Sequence, residues 1–298
     1  PLNNHPMLLL LICTLSLLPL PLLYGLADYL IYPILRYIVR YRLDLVRKNI
    51  SRSFPHKSAQ EQAQIVDDFY HHFSSVLVEI IYGYRASDEE MRQRVVFENM
   101  EMLEDLAHRK YGVIAYLGHV CNWEWIADVG KQFDDPTIVE HNVYRRLKNP
   151  RANRAMLLLR GKRGGECVEK NQLLRKLVQL RHVQYPYVVR LIADQKPSPR
   201  NAHVWTTFLH QDTAFLDGGE TLARKFDLGV VYAHIYSPKR GYYRIHFELI
   251  TDNPSSMPQD SITLTFARLL EENICQQPHA WLWTHNRWKW KRENSTTA

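Results

Sequence analysis

The sequence predicts an α/β fold, a central mixed sheet layered by helices, with an N-terminal membrane-anchoring helical segment. Three observations predict it. Residues 6 to 27 carry no charge and are dominated by Leu, a length able to cross a bilayer. Beyond them, apolar runs of strand length alternate with stretches of helical periodicity through most of the chain. The composition, 46% hydrophobic and 23% charged over 298 residues, is that of a folded chain able to bury one sizeable core. The chain therefore divides into an anchor with its basic flank, 1–42, and one elaborated domain, 43–298.

Each element has a local reason. Pro19 and Pro21 interrupt the first apolar run, so a kinked span or a re-entrant hairpin is as open as a straight helix. A cleaved secretion signal is the alternative, with Gly25-Leu26-Ala27 as its cleavage site, but no Lys or Arg precedes the run. Arg36, Arg40, Arg42, Arg47 and Lys48 follow, and the positive-inside rule makes that flank cytoplasmic. Ser58 to Glu61 reads as a capping box, after which Ile65, Phe69, Phe73, Leu77 and Ile80 recur at helical spacing to about Tyr82. Ser87 to Glu90 repeats the signature and opens a short helix. His71 and His72 lack partners at ligand spacing and read as surface or packing residues.

Val113 to Leu117, bounded by Gly112 and Gly118, suits a buried strand, and Asn122 is placed to cap a helix beginning at Trp123. Thr137 to Val143 suits a second strand. A helix containing Met156 to Arg160 leads into the basic, glycine-bearing stretch Arg160 to Gly165. That stretch reads equally as a solvated loop or as cations that hold phosphate or carboxylate groups. A helix near Gln172 to Leu180 precedes the apolar run Tyr187 to Ala193, which ends in Asp194-Gln195. The loop Lys196 to Arg200 carries two prolines. Asp217 to Glu220 caps a helix to about Phe226, Val230 to Tyr236 and Tyr242 to Ile250 pair as strands, and 260–277 is the last helix. The tail from Trp281 to Arg292 interleaves four Trp with four cations, which suits a headgroup interface or an anionic partner; packing is equally open to the first two Trp.

The net charge of +7 points to an anionic partner, and no nucleic-acid-binding motif is present. Cys13, Cys121, Cys167 and Cys275 show no paired spacing, which argues against a disulfide framework or a zinc site. Cys121 reads as a small buried filler before it reads as a nucleophile. The chemistry concentrates at His119, where a strand ends, with Glu124 in the turn that follows. A hydroxyl near neutral pH is a weak nucleophile, and a His held in one tautomer by a carboxylate can take its proton. His119 is thus the candidate base and Glu124 its candidate orienting group. A strand–helix junction whose His and Glu merely satisfy each other is the plainer reading of that spacing.

Gly118-His119 with Glu124 beyond it joins other landmarks. These are the N-terminal apolar segment, Val46 to Pro55, Val143-Tyr-Arg145, Ala193-Asp194-Gln195, Leu222-Ala-Arg224 and Trp283 to Trp288. In this order they resemble the late acyltransferases of lipid A biosynthesis, within the wider lysophospholipid acyltransferase superfamily, and the likeness covers nearly the whole chain. It implies an acyltransferase-like fold, and transfer of a fatty acyl chain from an acyl carrier protein thioester to a hydroxyl of a lipid A precursor. No metal or cofactor is implied. Arg145 and Arg160 become candidates for substrate and oxyanion contacts; Asp194 and Gln195 fall on a family block expected to shape the site or bind the acceptor. The basic surface acquires two partners, the acidic carrier protein and the acceptor's phosphates, and the enzyme is expected at the cell inner membrane with its catalytic domain on the cytoplasmic face. The Asn-Trp-Glu-Trp version around Glu124 resembles the branch found in Bacteroidetes-type bacteria. Two readings compete: the same chemistry on another lysolipid or aminolipid, and a non-catalytic membrane-associated lipid-binding scaffold. A secreted lipid-binding protein goes with the cleavage-site alternative.

Overall fold

The computed structural model of the protein describes residues 12–183 and 185–292, the side chain of Arg163 excepted. Helix α1 (Leu20–Leu26) starts behind Pro19, with Pro21 in the first turn where its missing N–H removes no helix bond. It continues through π-type turns at Ala27–Ile31 and Ile34–Ile38. Arg40 and Arg42 then adopt positive φ and turn the chain into α2 (Leu43–Ser53). Among the described residues no single helix is long and apolar enough to cross a membrane; Leu20–Ile38 and Leu43–Ser53 meet length and composition only as a pair bent by 85°. The apolar run 6–27 is interrupted before Pro19, so its described part is not one straight helix, and residues 6–11 lie outside the described residues. Leu20, Leu23 and Ala27 join the main core instead of standing apart from it.

Both capping boxes form, and they open α3 (Ala59–Gly83) and α4 (Asp88–Arg94). The chain then runs through β1 (Val95–Glu98), α5 (Met100–Lys110), β2 (Gly112–Leu117) and β3 (Val139–Tyr144). Next come α6 (Pro150–Arg163), β4 (Glu166–Glu169), α7 (Leu173–Leu180) and β5 (Tyr187–Ile192). A hairpin of β6 (Val204–Phe208) and β7 (Gln211–Phe215) precedes α8 (Gly218–Phe226), β8 (Gly229–Lys239), β9 (Tyr242–Thr251) and α9 (Ser261–Gln276).

Among the described residues seven strands form one mixed sheet in the order β1-β9-β8-β2-β5-β3-β4. β8, β2, β5, β3 and β4 run parallel, whereas β9 is antiparallel to β8 and carries β1 beside it. β2 is buried along its whole length, as a central parallel strand covered on both faces must be. Short β4, with Glu at both ends, suits an edge. The register that matters pairs Leu117 with Ile192, so β2 and β5 end level with each other.

Two local expectations are corrected. Asn122 caps no helix: it is buried, its amide donates to Glu79 Oε2 at 2.9 Å, and the helical turn that follows is a 3-10 segment, Trp125–Lys131. Arg160 to Arg163 are not loop but the last turn of α6, whose start is capped by the Asn149 side chain.

Candidate active site

Because β2 and β5 are parallel and in register, their outgoing ends deliver His119 and Asp194 to the same place. His119 Nδ1 lies 2.6 Å from Asp194 Oδ1, and the His119 backbone N–H donates to Asp194 Oδ2 at 2.8 Å. The Trp281 indole N–H donates to that second oxygen, also at 2.8 Å. Burial alone would raise the Asp194 carboxyl. The charge of His119 and the three hydrogen bonds outweigh it and hold the group down at about 2. A permanently ionised carboxylate therefore accepts from Nδ1–H, which leaves Nε2 as the ring's basic nitrogen. The Gln195 amide stands 3.4 Å from Nε2, and the Trp123 ring meets the imidazole edge-on at 5.0 Å between centroids.

The approach is tight. A side chain at Gly118 would press into Leu270 and toward the Asp194 carboxylate. The segment after α9 lies on the His119 loop: Leu282 N–H donates to the His119 carbonyl and Cys121 N–H to that of Ala280. Cys121 itself takes φ 52°, is buried, and has its thiol pushed up by burial, so it fills space and is no nucleophile.

Glu124 is not where spacing suggested. Its carboxylate receives Arg160 Nε at 2.8 Å and Arg160 Nη2 at 2.6 Å, a two-pronged pair. Burial would raise Glu124, but the bonds and charge of Arg160, with Arg190 and His119 nearby, bring it below the usual range. The physical reason for the correction is local. With Cys121 at positive φ and no α-helix after Asn122, the loop carries Glu124 toward α6, not back over the imidazole. Glu124 remains close enough to feel the His119 charge, but it does not hold the ring.

Beneath that pair lies a second one, Glu140 on β3 and Arg190 on β5, with Nε 3.5 Å from Oε1 and both side chains buried. Arg145, at the outgoing end of β3, is exposed and reaches neither His119 nor Glu124; it lines a cavity of about 340 Å³ on that rim. The structure thus joins His119, Asp194 and Gln195 directly, sets Glu124 with Arg160 beside them, and leaves Arg145 at the margin. Sequence reading missed Arg190, Trp281 and Glu79 as site-shaping groups. Only Trp281, two residues before a family block, carried a signal that placed it near.

The family model described as bacterial lipid A biosynthesis acyltransferase matches residues 7–290. Among curated proteins the chain is similar to the lipid A biosynthesis lauroyltransferase of Escherichia coli (strain K12). The two are 25% identical over 282 residues, which cover 93% of this chain and 88% of that relative.

Proposed function

Because this chain belongs to the bacterial lipid A biosynthesis acyltransferase family, we propose that it moves a fatty acyl chain from an acyl carrier protein thioester to a hydroxyl of a lipid A precursor. His119 is the general base. Asp194 holds the imidazole with its proton on Nδ1, so that Nε2 takes the proton of the acceptor hydroxyl as its oxygen attacks the thioester carbonyl. The tetrahedral intermediate collapses by breaking the carbon–sulfur bond, and the departing thiolate recovers the proton from the imidazolium. The ester and the free carrier thiol are the products, and no acyl-enzyme forms. Glu124 contributes by fixing Arg160, whose remaining guanidinium nitrogen is a candidate donor to the oxyanion.

The observation that carries this reading is the His119–Asp194 hydrogen bond at the joint outgoing end of two parallel strands. The test is an assay with acyl carrier protein thioesters and a panel of lipid acceptors. Asp194→Asn and His119→Ala are each expected to lower kcat by about 100- to 10,000-fold, the usual share of general-base catalysis. Full turnover in either variant removes the base from the scheme; turnover restricted to another lysolipid changes the acceptor and keeps the chemistry.

We place the working surface against the cytoplasmic face of the inner membrane. Leu22, Tyr29 and Ile38 are 61%, 87% and 74% exposed on the first helical segment, and the exposed Arg40 and Arg42 follow it, whereas Arg36 is taken up by Asp67. Such a pairing suits an interfacial position among anionic headgroups.

A further inference from the structure

The cavity of about 340 Å³ at the outgoing ends of β3, β4 and β5 is lined by Arg145, Arg146, Lys170 and Lys196 against one carboxylate, Glu169. Of these four cations only Arg146 forms an ion pair among the described residues, with Glu169 at 3.9 Å. Lys196 is held over the Trp290 indole at 4.7 Å, and Lys289 packs on the same ring at the same distance. Two ammonium groups are therefore kept on one ring with no ion pair to either among the described residues. Burial first, then the Lys289 charge, makes protonated Lys196 costlier than usual. Side chains that can donate to oxygen, Asn171, Ser198 and Asn201, complete the wall.

We propose that this cleft binds a phosphate group carried by the acyl acceptor. The inference rests on the acyltransferase reading above and adds which part of the substrate lies where. Like charges gathered without a partner are stabilised by an anion, and phosphate, with its spread charge and several acceptor oxygens, suits forked Arg and point-charge Lys donors together. The position selects the acceptor over the donor. Gln195 faces His119 Nε2, the nitrogen that receives the acceptor's proton, and Lys196 is the next residue along the chain. The cleft thus opens on the side where the attacking hydroxyl must sit. The exposed apolar segment belongs to the opposite side of His119, where its neighbours are β8 and β9. An amphiphile laid across the end of the sheet finds positive charge at one side and an apolar surface at the other.

The test compares the phosphorylated acceptor with the same lipid after phosphatase treatment, in the full-length protein and in the double variant R146Q/K170Q. For the wild type, loss of the phosphate should raise the acceptor KM about tenfold or more. In the double variant the KM for the phosphorylated acceptor should rise to match, with kcat, the KM for the dephosphorylated acceptor and the KM for the acyl donor unchanged. Equal KM values for the two acceptors in the wild type overturn the proposal. A rise confined to the donor KM also overturns it, and assigns the cleft to the carrier's phosphopantetheine arm. A readout free of turnover separates this claim from the catalytic one: titration of a soluble, deacylated glucosamine disaccharide phosphate by calorimetry. Binding to the wild type that is lost in the double variant upholds the cleft even if no acyl transfer is seen. Binding indifferent to the substitutions overturns it even if transfer is seen.

Discussion

At the residue scale, the site turns on which carboxylate serves the imidazole. Asp194 meets Nδ1, whereas Glu124 is committed to Arg160 with both oxygens. The two carboxylates should therefore fail differently when removed. His119→Ala removes one of the bonds to the buried Asp194 carboxylate but leaves the one from Trp281, so it should lower kcat by about 100- to 10,000-fold at a stability cost of about 1.5–3 kcal/mol. Glu124→Ala leaves Arg160 with an unpaired charge at 17% exposure, and breaking such a pair costs about 3–5 kcal/mol. It should lower the unfolding midpoint in denaturant as well as the rate, and Arg160→Ala should resemble it in both. A Glu124→Ala protein as stable as the wild type would return Glu124 to a purely catalytic role. None of this was available from the interval between His119 and Glu124. That interval assumes a helix after Asn122, and the buried bond from Asn122 to Glu79 prevents one.

At the element scale, the site is a consequence of register. Leu117 and Ile192 are partners, and the polar residues that follow each strand converge because the strands are parallel neighbours. Trp281 enters from a third direction, on the segment that pairs with the His119 loop through Val120. Trp281→Phe keeps the ring but deletes one of the hydrogen bonds to Asp194, so kcat should fall about tenfold, the worth of a hydrogen bond to a charged group, with the fold intact. An unchanged kcat would show that the other two bonds suffice to orient the carboxylate. On β3, the next strand beyond β5, lies Glu140, which burial raises to about 7 against the pull of Arg190. Its folded value exceeds the unfolded one of about 4.3. Its favourable contribution is therefore complete below the unfolded value and lost as pH rises through the folded one. Thermal unfolding followed across pH 5 to 8 should show the wild type losing ground against Glu140→Gln as pH rises, by on the order of 1–3 kcal/mol. A difference that does not change with pH would mean that Arg190 keeps the carboxylate ionised throughout.

The same scale explains what could be read beforehand. Both capping boxes and the strands β2, β5, β8 and β9 were legible because local chemistry and burial agree along them. Four-residue β1 and β4 are too short to show a period. The β6–β7 hairpin hides behind its turn, where Leu209 and His210 both take positive φ in place of the Asn-Gly that such a turn prefers. Leu209 is buried and its backbone N–H donates to Glu271, so packing offsets the strain there and no turn residue announces it. Asp194 was visible as a polar residue ending a strand. Its partner was not, because strand order is a property of the whole sheet.

At the scale of the whole molecule, one end of the sheet carries the candidate site. β8 continues past Tyr232, the partner of Tyr116, to Lys239, and at about 3.3 Å per residue this projects its hairpin about 23 Å beyond that level. The hairpin tip is tied to the first helical segment: Arg240 clasps Asp28 at 2.7 and 2.8 Å and lies over the Tyr24 ring at 4.0 Å. Tyr24 and Tyr243 in turn donate to buried Glu79, which also holds Asn122 of the His119 loop. The exposed apolar side chains Leu22, Tyr29 and Ile38 are thus fastened to the same rim that presents His119. A surface so placed would set the base at the depth of a lipid hydroxyl, so docking and catalysis should be separable by substitution. The combined variant Leu22→Ser, Tyr29→Ser, Ile38→Ser removes three partly exposed apolar groups worth about 1 kcal/mol each at an interface. Its partitioning onto anionic vesicles should fall by about 100-fold, read by sedimentation. Turnover of a short-chain, water-soluble acceptor should remain near that of the wild type, since none of the three touches His119 or Asp194. Undiminished sedimentation would place the membrane contact elsewhere, and loss of turnover on the soluble acceptor would show that the segment supports the fold of the site and does more than carry it to the lipid.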